Sequence, residues 1–265
     1  MCGPGVSRPG SGREAYYGVY WEEGRVHESP HLRWKSAETR RLGSAVPCGR
    51  VLDVGCGDGT VLGQAARDGW SLFGVELSPL AAREARRRGL RPVRADLEGG
   101  RLPIRAASFD VVVCYDVLEH LFDPMSLLSE IHRVLRPGGT ALLCVPNAFN
   151  LFNRLTFLAG RYVDIMDTAH RSGELFSEHV RLFSRGLFED VVARAGFAVR
   201  RRGYYFPDSF TDPRYRLAGS LARLVTATAL HRLWPSLLSL GFLFECGKAG
   251  VAGAAPADAD GRSTP

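Results

Sequence analysis

The sequence predicts a parallel α/β sheet with helices on both faces. Three observations predict it. Short apolar runs alternate with helical patterns from residue 50 onward. Several runs end in polar side chains: Asp53, Glu76, Asp96, Tyr115 with Asp116, and Asn147. The first run opens into a glycine turn, Gly55-Cys56-Gly57-Asp58-Gly59-Thr60, that leads into a helix. Alternating strands and helices give a parallel sheet with right-handed crossovers, and ligands of such sheets sit beyond the strand C-termini. The polar terminators therefore mark one ligand-binding edge.

In chain order, strand one is expected at 50–54, and a helix at 60–68 with Gly69 as its stop. Strand two spans 71–76. Ser78-Pro79 then opens a helix, with serine as cap and proline in the first turn, and Gly89 ends it. Strand three runs over 91–95 and ends at Asp96. The run Phe109–Tyr115 is too short for a helix and suits a strand buried on both faces. A helix at 124–136 carries Leu127, Leu128, Ile131, Val134 and Leu135 at helical spacing. Pro137-Gly138-Gly139 stops it, and strand five follows at 140–145. An apolar helical stretch is expected at 148–159, a helix at 185–195 capped by Ser184, strand six near 197–205 and strand seven near 239–246.

This divides the chain into a tail and helical arm over 1–45, one α/β domain over 46–248, and a polar tail over 249–265. Insertions at about 148–183 and 206–237 are expected to form acceptor lids. The arm carries Tyr16, Tyr17, Tyr20, Trp21 and Trp34, which serve either core packing or a ligand lid. The tails, 1–13 and 249–265, are rich in small and polar residues and are expected to be disordered.

At 265 residues the chain is long enough for one large α/β core. The net charge is +6, and only Lys35 and Lys248 among the basic residues are lysine. The longest basic runs are Arg86-Arg87-Arg88 and Arg200-Arg201-Arg202, so the arginines are expected on solvated faces and no nucleic-acid partner is expected. None of the six cysteines forms a CxxC pair, which suits reduced thiols in a reducing, cytoplasmic setting. No signal pattern opens the sequence, and no run approaches the roughly 20 apolar residues of a spanning helix.

The glycine turn lets backbone N–H groups approach a polar ligand with no Cβ in the way. Glu76 lies 21 residues after Gly55, the offset at which an acidic group takes ribose hydroxyls in nucleotide-binding α/β folds. A nicotinamide dinucleotide loop, however, wants GxGxxG or GxGxxA, and position 60 is Thr. A P-loop is excluded, because no GK[ST] follows the glycines.

The stretches VLDVGCGDGT, GVELSP, RADLEG, SFDVVVCYDVLEHLFDP and RVLRPGGTALLCVPN, in that order, resemble the motifs of class I S-adenosylmethionine-dependent methyltransferases. The resemblance spans about residues 47–205, with strand seven completing it. It implies a Rossmann-like, seven-stranded, mostly parallel sheet with helices on both faces and an antiparallel last strand. It implies S-adenosylmethionine as cofactor. Gly55, Cys56, Gly57 and Gly59 would pass close to its methionine moiety, and Asp53 would orient the loop and the ammonium. Glu76 would take the ribose hydroxyls, with Leu77 on the adenine. Asp96 would accept from the adenine amino group with Leu97 beside it. Tyr115 and Asp116 would line the floor near the sulfonium.

Methyl transfer from a sulfonium needs alignment and a suitable nucleophile, and an alcohol, phenol or carboxylate acceptor can need a base. Histidine suits that task near neutral pH. His120 lies in Asp116-Val117-Leu118-Glu119-His120, which resembles the ExxEH segment of ubiquinone-type O-methyltransferases, a segment able to hold a divalent metal. Asp116 replaces the glutamate there. Three readings of His120 stay open: loop brace, base, or metal ligand. His179-Val180-Arg181-Leu182-Phe183-Ser184 resembles an HxRxF[ST] segment of this family, in which His179 and Arg181 face the acceptor or Arg181 pairs with a structural carboxylate. No [DN]PP[YF] follows strand four, which disfavours planar amines as acceptors.

The resulting expectation is transfer of a methyl group to an oxygen of a small, hydrophobic, lipid-linked or sugar-containing acceptor, with peripheral membrane contact possible through the interleaved apolar and arginine residues. The alternatives are a cofactor-binding partner without transfer activity, and an RNA methyltransferase.

Overall fold

The computed structural model describes residues 30–98, 101–160, 179–206 and 233–249. The aromatic residues at 16–21, most of the two lids and nearly all of both tails lie outside the described residues. Trp34 lies within them, on the first described helix.

The described chain forms a seven-stranded sheet in the order β3-β2-β1-β4-β5-β7-β6. Its strands are β1 (Gly49–Val54), β2 (Trp70–Glu76), β3 (Arg91–Arg94), β4 (Phe109–Tyr115), β5 (Leu135–Pro146), β6 (Phe197–Tyr205) and β7 (Gly241–Lys248). The pairs from β3 through β5 are parallel, whereas β7 runs antiparallel to both β5 and β6. This is the expected architecture. The helices are α1 (Pro30–Arg41), α2 (Thr60–Ala65), α3 (Pro79–Arg87), α4 (Pro124–Val134), α5 (Leu151–Leu158), α6 (Arg185–Arg194) and the short α7 (Pro235–Leu238).

Burial on both faces explains why β4 is apolar throughout. Val112 and Cys114 enter one core with Leu52, Leu128, Ile131, Phe188 and Phe244. Val111, Val113 and Tyr115 enter the other with Val51, Leu62 and Leu142. Each fully buried aliphatic or aromatic side chain contributes about 1.5–3 kcal/mol, so the two cores fix the central strands and hence the positions of their C-terminal residues.

Local signals set several helix starts. Ser78 accepts from the Ala81 N–H at 3.4 Å, Asp123 from Ser126 at 3.2 Å, Asn150 from Asn153 at 3.0 Å and Ser184 from Leu187 at 3.2 Å. These caps satisfy N–H groups that have no partner inside their helices.

Three boundaries differ from expectation. The first βα helix ends at Ala65 rather than at 68, because Ala66 leaves the helical region at ψ 145°. The helix over 124–134 stops two residues early, and β5 begins at Leu135 rather than at 140. Pro137-Gly138-Gly139 does not precede that strand but sits inside it: the register with β4 shifts between Phe109 and Val111, which absorbs these residues. The final strand is displaced to 241–248, because residue 239 still belongs to the α7 turn, Ser239 N–H donating to Pro235 O at 2.9 Å.

Candidate active site

The carboxyl ends of β1, β2 and β4 converge as the sequence predicts. Asp53 lies in the buried carboxyl-terminal half of β1, before Val54, and is 4% exposed. Burial pushes its carboxyl up to about 7, against a lowering influence of Lys35 and with a further raising influence of Glu76. A carboxyl so poised gains its charge when a cation comes beside it.

Gly55, Gly57 and Gly59 take φ of 76°, 53° and 78°, the left-handed region that glycine enters without steric cost. At Gly59 a Cβ would stand 2.9 Å from Ala85 Cα, so helix α3 packs directly on the loop. Asp58 holds the turn from within: its carboxylate accepts from the Thr60 N–H at 3.0 Å and the Thr60 hydroxyl at 2.8 Å, and pairs with Arg88 at 3.1 Å. Cys56 is buried between β1 and β2, its thiol pushed up by burial and by nearby carboxylates, so it packs rather than reacts.

Glu76 is also buried, and both its oxygens face backbone donors. One accepts from the Gly57 N–H at 3.0 Å and the other from the Ser78 N–H at 2.7 Å. Burial raises its pKa, partly offset by those amide bonds. Glu76 therefore ties the glycine loop to the end of β2. Leu77 is half-buried beside it. Asp96 lies two residues beyond the end of β3 and is exposed, its carboxylate accepting from the Glu98 N–H at 3.0 Å, while Leu97 packs against the core.

The far half of the edge is built by β4 and by α1. The Tyr115 hydroxyl meets Thr39 Oγ1 at 2.8 Å. Lys35, 3% exposed, pairs with the Asp116 carboxylate. Burial opposes the lysine charge, but Asp116 outweighs it and the pKa is raised. Burial likewise opposes the Asp116 charge, but Lys35 and His31 outweigh it and the pKa is lowered. Asp116 takes φ 52°, one of two non-glycine residues at positive φ among the described residues, and aspartate is among the few types that tolerate it. His31 Nδ1 lies 3.8 Å from Asp116 Oδ2, and its ring stacks on Tyr205 at 4.5 Å and on Trp34 at 6.0 Å.

His120 and His179 come together, with ring centroids 4.8 Å apart. Between them and β4 lies Glu119, with 0% exposure and neither carboxylate oxygen hydrogen-bonded. Burial holds this carboxyl well above the ordinary range, and Asp116 adds to the shift. The bracing of the loop runs through the Glu119 main chain, whose carbonyl accepts from Val180 at 2.9 Å and Arg181 at 3.0 Å. Arg181 does not pair with a carboxylate in the described residues; it donates to the carbonyls of Leu121 and Phe122. Glu119, His120 and His179 each place one ligand-type atom within 4.8 Å of the others, as do His31, Asp116 and Cys144.

His31, Lys35 and Thr39 are the site residues that the sequence did not reveal. The one available signal was Lys35 itself, one of two lysines among 34 basic residues.

Comparison with known proteins finds relatives of the region that holds this site. Residues 52–143 match a family model described as a methyltransferase domain. Over this stretch the chain is similar to methyltransferase domains. Over 179 residues it is 32% identical to a probable S-adenosylmethionine-dependent methyltransferase of Mycolicibacterium smegmatis, covering 66% of this chain and 62% of the relative. Over 124 residues it is 34% identical to a ubiquinone biosynthesis O-methyltransferase of Xanthomonas campestris pv. campestris, covering 45% and 52%. The chain thus spans between half and two thirds of the length of these relatives. Among solved structures, an S-adenosylmethionine-dependent methyltransferase of Mesorhizobium loti aligns with TM-score 0.57 at 23% identity, covering 82% of this chain and 98% of that one. A possible histamine N-methyltransferase of Thermotoga maritima aligns with TM-score 0.56 at 18% identity, covering 89% and 97%; these likenesses show the fold.

Family and fold imply S-adenosylmethionine as cofactor. The residues present fit it: two buried carboxyls, Asp53 and Glu76, flank a loop whose backbone is open where side chains are absent.

Proposed function

We propose that the chain transfers a methyl group from S-adenosylmethionine to an oxygen of a small hydrophobic, lipid-linked or sugar-containing acceptor. The observation that carries this reading is one edge with two chemical halves. Asp53, the glycine loop, Glu76 and Asp96 form a donor half; Asp116, His31, His120 and His179 form an acceptor half rich in imidazole. When bound, the cofactor supplies an electrophilic methyl group. Asp53 holds its ammonium, Glu76 its ribose hydroxyls, Leu77 and Leu97 its adenine faces and Asp96 its amino group, while Tyr115 forms the floor. His120 and His179, on the acceptor half, bind or deprotonate the acceptor hydroxyl.

Likeness to a ubiquinone biosynthesis O-methyltransferase supports oxygen as the acceptor atom. A hydrophobic acceptor is supported by Phe122, Leu155, Phe157, Leu158 and Trp234, which are exposed by 54–80%. The same residues favour peripheral contact with lipid, and no described helix is long and apolar enough to cross a membrane. An RNA acceptor is disfavoured, because Arg201 and Arg202 of the basic run on β6 are engaged with Glu38, Glu245 and Glu189. Five described cysteines are free thiols, four of them buried, which fits a reducing, cytoplasmic setting.

The test is transfer of labelled methyl from S-adenosylmethionine to panels of phenols, sugar alcohols and polyprenyl-linked hydroxyls. Transfer to an oxygen is the expected result. Transfer to nitrogen or to RNA alone contradicts the reading.

A further inference from the structure

Positive charge is concentrated at one edge of the sheet. Residues 79–94, which form α3, the turn after it and β3, hold six arginines and one glutamate, a net charge of +5 against +6 for all 265 residues. Between α3 and β3 runs a groove of about 720 Å³. Arg83 and Arg86 of α3 and Arg94 of β3 stand along it and are exposed, and the half-buried Leu80 and Pro92 give it an apolar floor. Among the described residues no acidic side chain lines it.

Ion pairing separates this groove from an ordinary solvated face. Arg87 and Arg88 are neutralised locally, by Glu84 at 2.6 Å and Asp58 at 3.1 Å, whereas Arg83 and Arg86 make no ion pair among the described residues. These two lie three positions apart on one helix face, so they repel, and an anion between them offsets the repulsion. Arg94 is steadied by its Nε, which donates to the Leu77 carbonyl at 3.2 Å.

The backbone beside the groove is closed to one kind of occupant. β3 is an edge strand of the sheet, and just after it the Ala95 N–H donates inward to Glu76 O at 3.2 Å. Alternate residues of a strand bond to opposite sides, so residues 92 and 94 face away from β2, and Pro92 has no N–H to offer an added strand. Recognition here runs through side chains. Pro92 and Arg94, two positions apart, share the face that meets α3.

We infer that the α3–β3 groove docks an acidic segment of a protein partner, with carboxylates on Arg83, Arg86 and Arg94 and an apolar side chain over Leu80 and Pro92. A carboxylate is a planar acceptor that the guanidinium fork pairs with bidentately. The stretch of α3 along the groove spans about 10 Å, the length of about three extended residues. No aromatic side chain lines the groove among the described residues, which disfavours single-stranded nucleic acid, whose bases stack on such rings. Of the exposed large apolar side chains only Val93 belongs to this edge among the described residues, too little to insert into lipid. The docking is independent of the acceptor and of the methyl-transfer reading.

The test overlays the labelled full chain on an array of short peptides that vary in glutamate number and in the presence of a leucine among the glutamates. The best-captured peptide is then titrated by fluorescence anisotropy. Capture is expected to rise with glutamate number and to strengthen with leucine. Arg83→Glu and Arg86→Glu are each expected to weaken the peptide about tenfold, and Leu80→Ala to remove the advantage of leucine. Arg87→Glu reverses the same charge outside the groove and is expected to change affinity by less than about twofold. Unchanged far-ultraviolet circular dichroism checks that all four variants are folded. A loss in Arg87→Glu equal to that in Arg83→Glu overturns the groove in favour of diffuse attraction. So does absence of acidic-peptide capture by the wild type, including the cases in which RNA oligonucleotides or phosphatidylserine vesicles bind in its place, or in which the chain self-associates in a way that Arg83→Glu abolishes.

Discussion

The Glu76 carboxylate accepts a hydrogen bond from the Gly57 N–H at 3.0 Å, joining the end of β2 to the middle of the glycine loop. The residue assigned to ribose recognition thus also shapes the loop before any ligand is considered. Glu76→Ala removes both functions. It is expected to weaken S-adenosylmethionine binding by about 1–3 kcal/mol, measured by calorimetry. Unchanged affinity would show that the ribose lies elsewhere.

Asp53, with its carboxyl at about 7, links cofactor binding to pH. A ligand ammonium favours the ionised form, so binding expels a proton while Asp53 is still protonated. Affinity is expected to rise from about pH 6 to about pH 8 and then level off, with proton release read from calorimetry in buffers of different ionisation heat. The effect on folding has the opposite sense. The folded-state pKa is raised, so the stability this group contributes is fully present below its unfolded value and is lost as pH rises through about 7. Asp53→Asn is therefore expected to be more stable than wild type at alkaline pH while binding the cofactor less well.

How much of this was legible in the sequence differs between the two halves of the site. The donor half reads directly, because Asp53, the glycines and Glu76 lie at the ends of apolar runs whose period and turn chemistry are local. Ser78 and Ser184 were legible as caps for the same reason. The start of β5 was not, because Pro137-Gly138-Gly139 looks like a terminus unless the β4–β5 register is known. The acceptor half was legible only in His120 and His179. Lys35 meets Asp116 across 81 residues, a tertiary pairing that no local pattern encodes.

That pairing gives a stability prediction. Lys35→Met leaves the half-buried Asp116 carboxylate without its cation, and solvent screening brings the loss below the about 3–5 kcal/mol of a fully buried ion pair broken from one side. Urea unfolding is expected to show such a loss for Lys35→Met and a smaller one for the double variant with Asp116→Asn. Equal losses would mean that Lys35 acts by packing alone.

Glu119 carries the opposite expectation. Its carboxyl is buried, has no hydrogen-bond partner and is held well above the ordinary carboxylate range. The stability it contributes in the protonated form is lost as pH rises through its folded value. Glu119→Gln keeps the shape without the ionisable proton. It is expected to match or exceed wild-type melting temperature at about pH 8, with the difference shrinking as pH falls toward about 4. A variant less stable than wild type at alkaline pH would contradict a neutral Glu119.

The central claim, that the loop over residues 55–59 is a methyl-donor site, is tested most directly by calorimetric titration of the full chain with S-adenosylmethionine and, separately, with NAD. Saturable one-to-one binding of S-adenosylmethionine, weakened by Glu76→Ala, with no binding of NAD, is the predicted result. Tight binding of NAD and none of S-adenosylmethionine would contradict it.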